Sequence, residues 1–329
     1  MKIAVLFGGD SAERDVSVAS GGQVVSALRS RGHEVVAVDT QAGPLSSADE
    51  AEVFSRGIDR EPPAATEGSR LPQVVAGLAV ENYDLVFLAL HGGSGENGAV
   101  QSLLDIQGLR YTGSGRLGSS LAWDKCVSKQ LFTLAQIPTP AWRTAPITAE
   151  AVEHDLAFPV IVKPSGQGST VGLSLVREPE ELAAAIELAS QFDREVLIER
   201  YIAGRELTVG VLGGKPLAVG EIIPVHGEIF DYEAKYQVDA AREIFPAGVP
   251  DDVARQAQAL ALVAHDALRL SFYSRADFRL DQNGGLWCLE VNTLPGMSTG
   301  SLLPQSAAAA GIPFDELCER ICQGALEAS

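Results

Sequence analysis

The stretch 275–301, RADFRLDQNGGLWCLEVNTLPGMSTGS, constrains this chain more than any other. Ala276, Phe278 and Leu280 alternate with Arg275, Asp277 and Arg279, the period of a strand with one buried face. Gln282-Asn283-Gly284-Gly285 carries turn chemistry, and the apolar run 286–289 follows. The pattern predicts a β-hairpin turning near Asn283–Gly284. In such a hairpin Asp277 falls opposite Glu290, while Glu290 and Asn292, two apart, share a face. Two carboxylates and an amide oxygen on one face suit Mg²⁺, which takes one or two carboxylates and completes its shell with phosphate and water. The same residues also fit a hairpin with a few solvated acids. The apolar surroundings of Glu290 and the neighbouring Arg275 favour a paired or metal-bound carboxylate.

A chain of 329 residues has room for two or three domains with cores of their own. Its net charge of −18 and scattered Lys and Arg exclude a basic stripe, so no nucleic-acid partner is expected. Cys126, Cys288, Cys318 and Cys322 lack zinc-type spacing and read as reduced thiols. The opening MKIAVLFGGD is a buried strand running into a turn, unlike a signal peptide. No apolar run approaches the ~18 residues of a membrane span. A cytoplasmic protein with no membrane partner is the expectation.

Lys2–Phe7, a helix over 16–31 and Glu34–Asp39 make a βαβ opening of parallel-sheet type. Residues 41–70, rich in Ala, Gly, Ser, Pro and Glu, read as a surface segment of low structural content. A strand over 83–90 then enters the loop from His91 to Gly98, whose glycines open a helix and offer N–H groups to an anion. His91 fits a packing residue at the helix start equally well. The fingerprint GxGxxG is absent, which counts against a nicotinamide cofactor. One helix over 117–136 carries Lys125 and Lys129 a turn apart. A strand over 158–163 feeds the hydroxyl-bearing glycine loop 164–172, with Lys163 at its root. Such a loop can close over a polyphosphate, and it can equally be a wide β-turn. Further strands fall at 195–199, 205–209 and 221–224, and a polar, aromatic loop follows. The helix over 251–270 carries His265 as a face residue, and a helix over 314–328 ends the chain.

Lys125 on a helix, Lys163 with its glycine loop, the Glu199-x-x-Ile202 hinge and the paired carboxylates together resemble the ATP-grasp superfamily. The chain resembles the D-alanine–D-alanine ligases along nearly its whole length, through GGDSAERDVSVASG, LHGGSGENGAVQ, YTGSG, WDKCVSKQLF, QIPTP, VIVKPSGQGSTVG, GRELTVGVL, FDYEAKY and RADF…LEVNTLPGMSTGSLLP. The resemblance implies an α/β protein, α+β in its ATP-grasp part. Residues 1–117 would form an N-terminal substrate-binding domain on a Rossmann-like parallel sheet. Residues 118–203 would be the central ATP-grasp subdomain. Residues 204–329 would be the C-terminal one, with the Mg²⁺-binding hairpin and an omega-type loop at 225–248. It also implies a reaction: ATP phosphorylates one D-alanine carboxylate, and the amine of a second attacks the acyl phosphate to give D-alanyl-D-alanine for peptidoglycan precursors. Two Mg²⁺ ions (Mn²⁺ able to substitute) and a homodimer belong to the same implication.

Residue by residue, the resemblance assigns the ATP phosphates to Lys125 and Lys163, with Lys235 reaching the γ-phosphate. Adenine falls to Glu199 and the backbone of Arg200, Tyr201 and Ile202, and the ribose to Glu206. Asp277, Glu290 and Asn292 become the metal ligands. Arg275 would stabilise the developing oxyanion, helped by the Gly296 N–H. Glu13 would bind the first ammonium, Ser301 and Leu302 the second carboxylate, and His91 joins the substrate-binding set. Ser169, Tyr236 and Glu13 would close the site as one hydrogen-bonded cluster, and Tyr236 favours the dipeptide over an ester. Two departures remove a charge but keep hydrogen-bonding shape: Gln167 where Glu is common, and Asn97 where Asp is usual. An ATP-grasp ligase joining D-alanine to another D-amino or D-hydroxy acid is the alternative. A nucleotide-binding sensor without catalysis is the reading from another class.

Overall fold

An apolar run with no polar face must be covered on both sides, and Lys2–Phe7 is such a run. In the computed structural model, which describes residues 1–55, 57, 69–225 and 241–327, it forms β1, fully buried from Ile3 to Phe7. The chain continues through α1 (Arg14–Ser30), β2 (Glu34–Asp39), β3 (Gly43–Pro44) and α2 (Ser47–Phe54). Next come α3 (Leu71–Leu78), β4 (Leu85–Leu88), α4 (Gly93–Glu96) and α5 (Ala99–Ile106). The first sheet has the order β3-β2-β1-β4, with β1 parallel to both β2 and β4 and β3 antiparallel at the edge.

The expectation of little structure over 41–70 fails in its first half. Ser46 accepts from the Asp49 amide while the Asp49 carboxylate takes the Ser46 amide, a capping box that starts α2. Small-residue composition hid that signal. Residues 56 and 58–68 lie outside the described residues.

The single helix expected over 117–136 is two, α6 (Arg116–Trp123) and α7 (Lys125–Leu134). Asp124 sits between them in an extended conformation, and its carboxylate accepts the Val127 N–H at 3.0 Å. An aspartate that bonds the backbone ahead of it starts a helix more readily than it continues one. The break makes Lys125 the first residue of α7.

The second sheet is built from β5 (Trp142–Thr144), β6 (Val160–Pro164), β7 (Ser174–Val176) and β8 (Val196–Arg200), with α8 (Ala149–Asp155) and α9 (Leu182–Ser190) between them. Its order is β5-β8-β6-β7, antiparallel throughout. The third comprises β9 (Arg205–Leu212), β10 (Lys215–Pro224), β11 (Ala241–Ile244), β12 (Tyr273–Leu280) and β13 (Leu286–Asn292), in the order β11-β10-β9-β12-β13. Helices α10 (Asp251–Ala267), α11 (Leu302–Ala309) and α12 (Phe314–Glu327) complete the chain.

Packing crosses chain order. Phe132 of α7 and Ala257, Ala261 and Ala264 of α10 share a core with Phe278 and Val291 of the third sheet. Phe278 is fully buried there, so truncation to alanine should cost about 3–5 kcal/mol. Leu317, Cys318 and Ile321 of α12 instead join the N-terminal core beside Leu28. All four cysteines are free and buried, and burial pushes the Cys126 thiol up to about 11. His265 is buried as a packing residue with Nδ1 2.7 Å from Ser274 Oγ. Among the described residues no helix is long and apolar enough to cross a membrane.

Candidate active site

The hairpin β12–β13 pairs in the register read from its alternation: Asp277 faces Glu290 and Arg275 faces Asn292. A bulge follows at once, because Phe278 pairs with Cys288 and leaves Leu289 as the extra residue. Asp281 holds the turn, accepting the N–H groups of Asn283 and Gly285 and the Trp287 indole. Asp277 is buried and saturated. It accepts from Arg275 Nη2 (2.8 Å) and Nε (3.0 Å), Thr208 Oγ1 (2.7 Å) and Asn292 Nδ2 (3.1 Å). Asp277, Glu290 and Asn292 line one cavity wall, so the donor set fits a hard, oxygen-seeking divalent cation. With such a cation bound, the Asn292 amide would turn over to present its oxygen.

That wall lines a cavity of about 430 Å³, and through Glu290 it adjoins a second of about 110 Å³. Gly168, Ser169, Glu206, Leu289 and Glu290 line both.

The smaller cavity is cationic at its base. Lys125 donates to Gln167 O at 2.6 Å and lies 3.2 Å from Glu290 Oε2. Lys163, on β6, donates to Glu199 Oε1 at 2.6 Å. Burial opposes its charge, but Glu199 and Glu290 outweigh burial and raise its pKa. Glu199 is held below the usual carboxylate range, since Lys129 and Lys163 together overcome its own burial. Glu206 also lines this cavity, and Arg279 Nη1 reaches its carboxylate at 3.3 Å.

The segment 199–202, expected to read adenine, already makes contacts within the protein. The Glu199 carboxylate is taken by two lysines, and the Arg200 and Tyr201 amides donate to Ala141 O and Pro159 O. The Arg200 side chain turns to Leu156 O, and Ile202 O accepts from Arg279. Sheet pairing and burial, invisible in a linear motif, set these contacts.

The larger cavity gathers residues from every part of the chain. Glu13, at the start of α1, accepts a short hydrogen bond from Ser169 Oγ. Two glycines permit the approach: a Cβ on Gly92 or Gly168 would lie 2.5 or 2.6 Å from Glu13 Oε2, and Gly92 also has φ +65°. His91 lines this cavity, yet both ring nitrogens are engaged. Nδ1 donates to Leu294 O and Nε2 meets Ser20 Oγ, each at 2.9 Å, while Ser20 Oγ accepts the Met297 N–H. Burial lowers the His91 pKa, which matches a neutral imidazole with its proton on Nδ1. His91 thereby ties α1 and the β4 loop to the segment after β13.

At the far end lie Gly296, Ser301 and Leu302. Ser301 occupies the N-cap position of α11, but its hydroxyl meets Ser298 Oγ at 2.8 Å and makes no cap bond. A helix N-terminus at a cavity wall suits a carboxylate. Lys235 and Tyr236 lie outside the described residues.

Sequence reasoning passed over Thr208, Glu96, Glu243 and Lys129 as functional residues. Thr208 could have been found, being two residues from Glu206 and so on the same strand face. Glu96 is pushed up to about 8, first by burial and then by the charge of Glu13. Glu243 lines the cavity, and burial raises its pKa too. Nothing in their local sequence signals these environments. Asp124, Cys126 and Glu195 bring ligand atoms within 4.8 Å of one another, but Asp124 already caps α7 and accepts from Ser165.

Two family models match the chain, described as D-ala D-ala ligase N-terminus over residues 2–114 and D-ala D-ala ligase C-terminus over residues 132–323. A D-alanine–D-alanine ligase of Geobacter sulfurreducens is 43% identical over 97% of this chain and 92% of its own length. That of Citrifermentans bemidjiense is 44% identical over 98% and 96%. Among solved structures, the D-alanine–D-alanine ligase from Bacillus anthracis complexed with ATP superposes with a TM-score of 0.80 at 30% identity, covering 100% of this chain and 98% of its own.

Proposed function

This chain belongs to the D-alanine–D-alanine ligase family, and from that premise we propose how its two cavities join two D-alanine molecules at the expense of ATP. The observation that carries the assignment is the Asp277–Glu290 pair: both line the larger cavity, and Glu290 also lines the smaller, lysine-based one. Phosphates belong against Lys125 and Lys163, and amino acids against Glu13 at one end and Ser301 at the other. The reacting carboxylate and γ-phosphate then meet at the shared wall.

The first D-alanine is held by its ammonium on Glu13, and its carboxylate oxygen attacks the γ-phosphorus as the bond to ADP breaks. The second binds its carboxylate at Ser301, Leu302 and the α11 N-terminus. Its amine, once deprotonated, attacks the acyl-phosphate carbon, and the oxyanion formed there faces Arg275 and the Gly296 N–H. Collapse expels phosphate and leaves the peptide bond. Such chemistry is carried by positioning and charge neutralisation in a site that excludes water. Asp277, Glu290 and Asn292 would hold Mg²⁺ or Mn²⁺, which when bound neutralises phosphate charge. Arg275 and Lys125 balance the same carboxylates from the protein side. His91 orients the wall, and Ser169 on Glu13 links the glycine loop to the N-terminal domain. Adenine is assigned to the backbone groups of 199–202 other than the Arg200 and Tyr201 amides and the Ile202 carbonyl, which already have partners, and the ribose to Glu206.

A cytoplasmic enzyme supplying peptidoglycan precursors fits a reaction that consumes ATP. A homodimer is part of the same reading.

The test is phosphate release from ATP and Mg²⁺ with D-alanine. Release that depends on D-alanine and yields D-alanyl-D-alanine by mass spectrometry is expected. Release only with a mixed substrate pair would replace the second substrate, and ATP binding without release under any pair would remove catalysis.

A further inference from the structure

Lys129 is a fully buried lysine for which the reaction above has no use. Its ammonium is saturated, lying 2.7 Å from Thr139 Oγ1, 3.2 Å from Pro140 O and 2.8 Å from Glu199 Oε2. The other Glu199 oxygen accepts from Lys163 at 2.6 Å, so one carboxylate sits between two ammonium groups. Thr139 passes the connection on, donating to Cys288 O of β13 at 2.8 Å, and the Cys288 amide donates to Pro138 O. Lys129 therefore stands where α7, the 138–140 segment, the second sheet and the metal-site hairpin meet. Burying a charge is costly unless it is fully paired, and a methyl-bearing side chain would fill this core with no such cost. Retaining two cations on one anion calls for a reason beyond packing. Lys163 provides one, because its ammonium is at the wall of the smaller cavity. Alone with Lys163, Glu199 would form a closed one-to-one pair and draw that ammonium inward. With Lys129 sharing the carboxylate, the site keeps an excess positive charge, and Lys163 is held at the cavity by only one of the Glu199 oxygens.

We propose that Lys129 is a positioning residue for ATP, fixing the Glu199 carboxylate so that the Lys163 ammonium stays directed at the nucleotide phosphates. The proposal rests on the reading of the smaller cavity as the phosphate site.

The test compares Lys129→Met, Lys163→Met and the double variant for KM of ATP, KM of D-alanine and kcat, with a thermal melt of each. Methionine keeps the stem and leaves a charge-balanced Glu199–Lys163 pair. Lys129→Met is expected to raise KM for ATP about tenfold, the scale of one charge-assisted hydrogen bond, with KM for D-alanine within about twofold. Lys163→Met should raise it further, and the double variant should be no worse than Lys163→Met, since both act through one carboxylate. A merely structural lysine would lower kcat or the melting temperature, leave KM for ATP in place and combine additively with Lys163→Met. That outcome overturns the proposal. If Lys163→Met itself leaves ATP affinity unchanged, the phosphate-site reading fails instead. Should Lys129→Met not fold, Thr139→Val decides, because it removes one acceptor and keeps the charge. About a twofold to threefold rise in KM for ATP supports positioning, and no change refutes it.

Discussion

Replacing Glu96 by glutamine should alter how stability depends on pH, with a sign that follows from the cavity. The Glu96 carboxyl lies beside Glu13 in dense surroundings and is pushed up to about 8 from 4.5. Burial is the first cause and the Glu13 charge the second, while the Gly92 N–H, Arg275 and Lys125 pull the other way. Between pH 4.5 and 8 the folded protein therefore keeps a proton that the unfolded chain has lost. Unfolding releases it, so this contribution is complete below pH 4.5 and disappears as pH rises toward 8. One proton per molecule gives at most a slope of about 1.4 kcal/mol per pH unit. Glu96 is half-buried and lines the larger cavity, so solvent shortens the pH range over which that slope holds and leaves the slope within it near about 1.4 kcal/mol per unit. Urea unfolding of the wild type and Glu96→Gln at pH 5.5, 6.5 and 7.5 measures it. The wild type should lose ground to the variant at each step, with matching m-values. Parallel profiles would show that Glu96 titrates normally and that the Glu13–Glu96 coupling is absent.

Other perturbations test the rest of the site. Glu290→Gln removes a metal ligand and the partner of Lys125, so phosphate release should fall by about 100-fold or more while the melting temperature changes little; preserved turnover would remove Glu290 from the site. Gly168→Ala would set a methyl 2.6 Å from Glu13 Oε2 and should lower kcat/KM about tenfold by breaking the Ser169–Glu13 link, an effect that steady-state kinetics would read directly. Gly220→Ala would drive a Cβ into the Phe245 ring, costing about 1–3 kcal/mol in chemical denaturation and sparing the active-site geometry. Chelation of divalent cations should abolish phosphate release reversibly, with Mn²⁺ as well as Mg²⁺ restoring it; full activity in chelator would refute the metal role of Asp277 and Glu290.

Local periodicity made much of this molecule legible. Alternation and an Asn-Gly turn are short-range properties, so the hairpin was legible, but simple counting back from the Leu280–Leu286 pair puts Leu289 opposite Asp277, and it is the bulge at Leu289 that brings Glu290 there. The buried run Lys2–Phe7 announced a parallel strand for the same reason. Competing local signals were harder: small-residue composition outweighed the Ser46–Asp49 capping box, and helical periodicity ran across the break that Asp124 makes by capping α7. What no local pattern could supply was the company each charge keeps. Lys129 lies one helical turn from Lys125, yet one is sealed in a core against Glu199 and the other reaches Gln167 and Glu290 at the cavity. Glu199, assigned to a nucleotide base through its motif, also sits between two lysines from other elements. The chain by itself thus determined its longer strands, the hairpin turn and the residue types of the site, while the short strands β3, β5, β7 and β11 carried no local signal. Only the tertiary structure decided which carboxylates face a cavity and which are buried between cations, because desolvation and Coulomb energy depend on three-dimensional neighbours that sequence distance does not encode.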